Sequence, residues 1–340
     1  MSGRHAAGSP GPVDGPRVVA LGGGHGLAAS LQALRRVTPH LTAVVTVADD
    51  GGSSGRLRSE LGVLPPGDLR MALAALAGDD DWGRTWETLL QHRFEGDGPL
   101  AGHAVGNLVL AGLTGTTGDP VTALDLTGAL VGAVGRVLPM SRAPLEIVAQ
   151  VLGLHPEDPG EPSEVVGQVA VATTTGTVAA VELRPADPPA CEEAVQAVQE
   201  ADWVVLGPGS WFTSVLPHLL VPGLREVLIT TRARRLVCLN LAEQAGETDG
   251  FSPEAHLDAL VAHAPDLRLD VVLGDQDAVG EPHGLMSAVA AAGGRLVLAP
   301  VARDDGTPRH DPDRLAAALG HVLADDSSAD SSTPEARAWR

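Results

Sequence analysis

Residues 43–58, AVVTVADDGGSSGRLR, decide how this chain reads. An apolar β-type run, Ala43 to Val47, stops at two adjacent carboxylates, Asp49 and Asp50. Gly51, Gly52, Ser53, Ser54 and Gly55 follow, then Arg56 and Arg58. A strand ending in paired acids, small hydroxyl residues and arginines holds the groups that bind a phosphorylated ligand. Carboxylates take hydroxyls or Mg²⁺, and guanidinium groups take phosphate oxygens. Asp50 has a second reading, as the cap of the Gly51–Ser54 turn. The stretch supplies one half of a site, and the other half must come from elsewhere.

Upstream, Arg17 to Leu21 (RVVAL) runs straight into Gly22-Gly23-Gly24-His25-Gly26. Leu27, Leu31 and Leu34 then recur at helical spacing as far as Arg36. Strand, glycine turn, helix and the second strand Leu41–Val47 make a βαβ unit. The turn reads G-x-G-x-G, and Leu27 stands where the dinucleotide fingerprint has its third glycine. Asp49 follows Gly22 by 27 residues, beyond the ~20 typical of a ribose-binding acid, which disfavours an ordinary nicotinamide dehydrogenase. The glycine turn is either a tight structural corner or a phosphate cradle.

Downstream, Asp68 in LPPGDLR is placed to N-cap an apolar helix Leu69–Leu76. Arg70 falls in that helix's first turn, where the helix dipole prefers an acid, so it is assigned to a ligand or a neighbouring carboxylate. Residues 79–98 form a charged connection with a short helix, and LAGHAVGN places His103 and Asn107 in a glycine loop before a helix at Leu108–Leu113. His103 is equally readable as a structural histidine. Residues 120–135 form a small-residue helix, followed by RVLP at 136–139. Val165–Leu183 alternates as two antiparallel strands turning at Thr173–Gly176, a β insertion at about 163–185. The buried strand Trp203–Leu206 ends at Gly207-Pro208-Gly209-Ser210, and Thr213 and Ser214 start another helix.

Further strands are expected at Glu226–Thr230, Leu236–Leu239, Asp270–Leu273 and Arg295–Ala299. Helices are expected at Pro253–His263, Pro282–Ala292 and Pro312–Leu323. Asn240 ends one of these strands, ahead of a polar loop with Glu243, Gln244, Glu247 and Thr248. The alternation defines a Rossmann-like α/β domain over 17–324, a mostly parallel sheet with helices on both faces. Loops at the carboxyl ends of its strands converge, so the two glycine loops are expected to face one crevice. Flexible tails are expected at 1–16 and 325–340, the second acidic and disordered.

Composition narrows the chemistry. The 340 residues are 44% apolar and 19% charged with a net charge of −20, which supports a globular core and disfavours nucleic acid and anionic membrane as partners. No apolar run is long enough to span a membrane. The N-terminus lacks a signal-peptide core, and Cys191 and Cys238 are too few for a disulfide frame, so a reducing, cytoplasmic setting is expected. The chain has no lysine and no tyrosine, which removes the P-loop, the kinase β3 lysine and Schiff-base catalysis. No G-x-S-x-G elbow or H-E-x-x-H pair occurs, which favours binding of a phosphate or sugar nucleotide over covalent catalysis.

In order, the segments ADDGGSSGRLR, LPPGDLR, LAGHAVGN, GPGSWFTS and NLAEQAGETDGF resemble the YvcK-type gluconeogenesis factors. These belong to a superfamily shared with CofD, the 2-phospho-L-lactate transferase of deazaflavin-coenzyme biosynthesis, and the resemblance covers roughly residues 17–300. It implies a cytoplasmic regulatory protein that binds UDP-sugars, notably UDP-N-acetylglucosamine, with a role in gluconeogenic growth and in morphogenesis and cell-wall homeostasis. On that reading Gly22, Gly23, Gly24, His25 and Gly26, with Gly207, Gly209, Ser210 and Thr213, cradle the diphosphate. Asp49 and Asp50 take hydroxyls or Mg²⁺. Ser53, Ser54, Arg56, Asp68, Arg70, His103, Asn107 and Asn240 complete the ligand site. No catalytic residue is assigned. The alternative is a Mg²⁺-dependent transferase of CofD type. Protein partners in cell-wall synthesis and a second copy of the chain are compatible with either reading. The chain departs from the family pattern at Ala242-Glu243, at Phe212 and Phe251 in place of tyrosines, and at His25 in place of threonine.

Overall fold

The computed structural model describes residues 15–244, 246–248 and 250–324. The expected tails at 1–16 and 325–340 lie, apart from Gly15 and Pro16, outside the described residues. In chain order the first half comprises β1 (Val18–Gly22), α1 (Gly24–Leu34), β2 (Leu41–Val45), α2 (Gly52–Leu61), α3 (Pro66–Leu76), α4 (Asp81–Gln91), α5 (Val105–Thr117), α6 (Pro120–Leu130) and β3 (Arg136–Pro139). A small unit follows: β4 (Glu146–Leu152), β5 (Ser163–Val166), α7 (Gln168–Ala172) and β6 (Thr177–Arg184). The second half contains α8 (Glu192–Glu200), β7 (Trp203–Leu206), a π-helical turn at Trp211–Val215 with a 3₁₀ turn at Leu216–Leu220, α9 (Pro222–Thr230) and β8 (Arg234–Cys238). It ends with α10 (Pro253–His263), β9 (Val271–Asp275), α11 (Gln276–Val279), α12 (His283–Ala291), β10 (Arg295–Ala299) and α13 (Pro312–Ala324).

Seven strands form one parallel sheet in the order β10-β9-β8-β7-β1-β2-β3. Its centre is apolar throughout: every residue of β1 and β7 is buried. Strands that read as continuous Val/Leu/Ala runs are buried on both faces, as a parallel sheet between helices requires. Ala20 of β1 pairs with Ala43 of β2 on one side and Val205 of β7 on the other. Around the sheet, α1 packs on α3 and α13, and α8 packs on α9. From β1 the chain winds outward through β2 and β3, then returns to β7 and winds the other way to β10. The direction reverses between β1 and β7, which places a crevice at their carboxyl ends.

Four expectations are corrected. Glu226–Thr230 belongs to α9, not to a strand: Leu224, Val227 and Leu228 are its buried residues, at helical spacing that a short apolar run conceals. The insertion starts earlier than 163, because β4 is its central strand and β5 and β6 flank it. Between β5 and β6 lies α7 rather than a simple turn, entered through Gly167 at φ +98°. Asp68 does not N-cap α3. The helix starts one turn earlier with Pro65 at the cap, and Asp68 lies inside its first turn. Proline at the first helical position suits that start because its fixed φ needs no N–H partner.

Candidate functional site

The two glycine loops meet. A Cβ on Gly26 would lie 2.3 Å from the Pro208 carbonyl oxygen and 2.5 Å from the Gly209 Cα. No larger residue fits at Gly26, so the start of α1 and the loop after β7 share one wall of the crevice. The facing arrangement expected from the sequence is therefore present, and Gly26, Pro208 and Gly209 all border a cleft of about 630 Å³.

Asp49 and Asp50 turn apart. Asp49 Oδ1 accepts the Gly51 N–H at 2.9 Å and its Oδ2 lies against Gly67, where a Cβ would be 2.7 Å away. Asp50 is exposed and accepts the Val169 N–H at 3.0 Å, in α7 of the insertion. Its other oxygen abuts Gly167. Asp49 thus caps the glycine turn, the role the sequence offered to Asp50. Two carboxylates that diverge do not present a shared chelate, and among the described residues no group of three or more His, Cys, Asp or Glu side chains is placed to hold a metal ion. The donor set does not fit the Mg²⁺ site expected of this pair.

Asp68 and Arg70 form the buried heart of the site. Asp68 accepts the Gly24 N–H and sits beneath Gly23, where a Cβ would lie 2.5 Å from its carboxylate. Burial, and then the Asp49 carboxylate, raise its carboxyl to about 7. Arg70 is 4% exposed, and its Nε and Nη1 are buried with no hydrogen-bond partner. Burial, and then nearby Arg93, lower its guanidinium to about 10. A buried guanidinium with two unmet donors is costly in a resting fold, and an incoming anion relieves that cost.

A second polar cluster stands behind the first. Ser53 Oγ is 2.9 Å from His103 Nδ1, and Asn107 Nδ2 donates to Ser53 Oγ at 3.0 Å. All three are buried, and burial lowers the His103 imidazole below its ordinary value, with the Arg56 charge acting the same way. Arg56 Nη2 donates to the Ala101 carbonyl at 2.7 Å, so this arginine fastens residues 99–101 to α2. Ser54 Oγ packs against Gly67. Ser53, Arg56 and His103 thus join the site's framework, away from the lining of the cleft.

Across the crevice, Asn240 grips the second glycine loop in both directions. Its Oδ1 accepts the Gly209 N–H and its Nδ2 donates to the Gly209 carbonyl, each at 2.9 Å. Glu247 holds the next turn: Oε1 accepts the N–H groups of Phe212 (2.7 Å) and Thr213 (2.8 Å), and Oε2 accepts from the Ser210 hydroxyl. The Ser210 and Thr213 hydroxyls also contact each other. Phe212 is 2% exposed and meets Phe251 edge to face, so its ring serves the core.

The cleft shows what the sequence reading missed. Besides His25, Gly26, Arg70, Gly209 and Asn240, it is lined by Arg93, Arg303, Arg309, His310 and Glu243. Four arginines face one glutamate there, inside a chain of net charge −20. Arg303 to His310 follow β10, beyond the segments that carried the resemblance. The rule that loops at strand carboxyl ends converge was the signal that pointed to them.

Fold and cleft together define a doubly wound α/β protein with a cation-lined crevice at its topological switch point. Residues 18–293 match the family model described as 2-phospho-L-lactate transferase CofD. A provisionally named gluconeogenesis factor of Mycobacterium tuberculosis (strain ATCC 25618 / H37Rv) is 56% identical over 315 residues, 92% of each chain. The gluconeogenesis factor of Halalkalibacterium halodurans is 41% identical over 246 residues, covering 72% of this chain and 73% of its own. A solved structure from Bacillus halodurans, described as a member of the upf0052 family, superposes with a TM-score of 0.80 at 34% identity, covering 91% of this chain and 100% of its own. The chain belongs to the CofD-like family, on its gluconeogenesis-factor branch. Among the described residues no single helix is long and apolar enough to cross a membrane.

Proposed function

We propose that the cleft binds a sugar nucleotide, UDP-N-acetylglucosamine, and that the protein is a regulatory factor linking gluconeogenic carbon supply to morphogenesis and cell-wall homeostasis. The observation that carries this reading is Arg70, buried with two unpartnered donors beside a glycine turn at the start of α1. A helix N-terminus and a desolvated guanidinium favour a phosphate together. His25 and Gly26 border the cleft at the start of α1, and Arg93, Arg303 and Arg309 add charge around it. Asn240 lines it as a partner for sugar or base groups, and Asp49 lies behind the lining, against Gly67. No nucleophile is assigned at the cleft, which suits recognition better than group transfer.

Calorimetric titration of the full chain with UDP-N-acetylglucosamine tests this. Saturable binding that is lost in Arg70→Ala and Asp49→Ala supports it, and no binding of any nucleotide sugar overturns it.

The family match over residues 18–293 favours a second reading, a 2-phospho-L-lactate transferase. Incubation with a nucleotide-activated phospholactate and a deazaflavin acceptor separates the two. Phosphodiester product supports the transferase, and binding without product supports the regulator.

A further inference from the structure

Three residues that line the cleft, Arg303, Arg309 and His310, belong to a hairpin that has left the sheet. The β9–β10 pairing ends at Ala299, opposite Asp275. Beyond it Ala302 and His310 bridge as an antiparallel pair, the Arg303 N–H donates to the Arg309 carbonyl at 3.0 Å, and Gly306 turns at φ +74°. So short a hairpin is marginal by itself, and this one carries two arginines side by side. What fixes those arginines must therefore lie at its base. Pro300 has no N–H to give, and the next two donors both go to one side chain. Asp275 Oδ2 accepts the N–H groups of Val301 and Ala302 at 2.8 and 3.0 Å.

We propose that Asp275 is a positioning residue of the cleft: from the end of β9 its carboxylate fastens the base of the 301–311 hairpin and so presents Arg303 and Arg309 to the ligand. The assignment rests on the sugar-nucleotide reading of the cleft. Asp275 is itself fixed, because Oδ1 accepts the N–H groups of Asp277 and Ala278 at 2.9 and 3.2 Å while the residue is 4% exposed. Burial alone would raise its carboxyl, but the four N–H groups offset this and hold it below its ordinary value. The base is tied from the carbonyl side as well. The Asp311 N–H donates to the Val301 carbonyl, and Arg314 Nη1 donates to the Ala302 carbonyl, each at 2.8 Å. An ordered hairpin spares the ligand the cost of ordering two long side chains and the backbone that carries them. Asp275 does not line the cleft, so it acts through the arginines and not by touching the ligand.

The test uses Asp275→Asn and Asp275→Ala in the full chain, with trypsin as probe of the hairpin and UDP-N-acetylglucosamine as probe of the cleft. Mass spectrometry after brief native digestion reads cleavage after Arg303 and Arg309. Both variants are expected to be cut there about tenfold faster than the wild type, because the freed base lets the hairpin open. Calorimetry is expected to show nucleotide-sugar binding weakened by about tenfold. In an Arg309→Ala background the same substitutions should cost only about threefold, because one of the arginines they would misplace is gone. A merely structural residue would weaken binding equally in both backgrounds, and that outcome overturns the proposal. Unchanged cleavage or unchanged affinity in the folded variants also overturns it. A wild type that binds no nucleotide sugar overturns the reading of the cleft, and cleavage then decides alone whether Asp275 holds the hairpin. If neither variant folds, amide exchange in the wild type decides. Val301 and Ala302 exchanging as slowly as β9 supports the hold, and exchange at the rate of the Gly306 turn overturns it.

Discussion

Gly26 and Pro208 are in van der Waals contact in one wall of the crevice, at a distance that admits no Cβ on Gly26. That contact joins the start of α1 to the loop after β7, two segments far apart in sequence, and makes a single site of them. Gly26→Ala must force the loops apart by about 1 Å to relieve a Cβ placed 2.3 Å from the Pro208 carbonyl oxygen. Overpacking of this kind destabilises by about 1–3 kcal/mol. The variant is expected to melt several degrees lower and to lose most nucleotide-sugar affinity, measured by thermal denaturation and calorimetry. An unchanged affinity would show that the loops act independently.

On the proposed reading, Arg70 is held for a ligand with two of its donors unpartnered. Arg70→Met keeps much of the side-chain volume and removes the buried guanidinium, which also offsets the Asp68 and Asp49 carboxylates. Removing one member of a buried charge cluster costs up to about 3–5 kcal/mol. Denaturant titration should show reduced stability, while binding falls by about 100-fold, the scale of a lost charge-assisted contact at roughly 1.5–3 kcal/mol or more. Lower stability together with retained binding would refute the assignment.

Asp68 gives the fold a pH signature. Its carboxyl rises from an ordinary 3.8 to about 7 through burial and the nearness of Asp49. Between those values the folded chain keeps a proton that the unfolded chain has released, so this group's contribution to stability declines as pH rises and is lost above about 7. Asp68→Asn removes that slope and keeps an acceptor for the Gly24 N–H. Stability of the variant relative to wild type is expected to improve from pH 4 to pH 8 by on the order of 2–4 kcal/mol. A difference that stays flat over that range would show that Asp68 titrates normally.

Asp49 and Asp50 should part company on substitution. Asp49 faces Gly67 and the Asp68–Arg70 pair, whereas Asp50 holds the Val169 N–H. Asp49→Ala is expected to abolish nucleotide-sugar binding. Asp50→Ala is expected to leave affinity within about threefold, to cost about 1 kcal/mol or less, and to speed amide exchange at Val169. Equal loss of affinity in both variants would restore the paired role that the sequence suggested.

Asn240 makes two hydrogen bonds to Gly209. Asn240→Ala leaves both backbone groups of Gly209 without that partner, at about 1–3 kcal/mol, and releases the second glycine loop. Nucleotide-sugar affinity should drop about tenfold, and Asn240→Asp, which keeps the acceptor and loses the donor, should fall between.

Much of this was legible in the residues. The continuous Val/Leu/Ala runs of β1, β2 and β7 declare buried parallel strands, and the glycines that follow them mark the turns. Proline starts on Pro253, Pro312 and Pro120 coincide with helix N-termini. Glu226–Thr230 reads as a strand from its residues alone because a short apolar run fits a strand and a buried helix equally well. Asp68 looked like a cap because the chemistry of its type at a helix start is right, and the actual start lies one turn earlier on Pro66. Arg303 and Arg309 gave no local signal at all, being polar residues in a polar loop.

The sequence by itself determined the strand–turn–helix alternation, the positions of the glycine loops and the dependence on arginine in a chain without lysine. Those follow from local rules: side-chain period, backbone freedom and the inventory of charges. Only the tertiary structure decided which side chains share a space. It turned Asp49 and Asp50 away from each other, buried Arg70 with two unpartnered donors, set Glu247 against the turn after the second loop and brought Arg303 and Arg309 to the cleft. Each of these depends on distances between residues remote in sequence. Desolvation and charge pairing are set by those distances, and no local pattern of residues encodes them. The stretch from Ala43 to Arg58 is accordingly half framework and half site: Arg56 and Arg58 brace α2 against its neighbours, and Asp49 faces the cleft's buried polar heart.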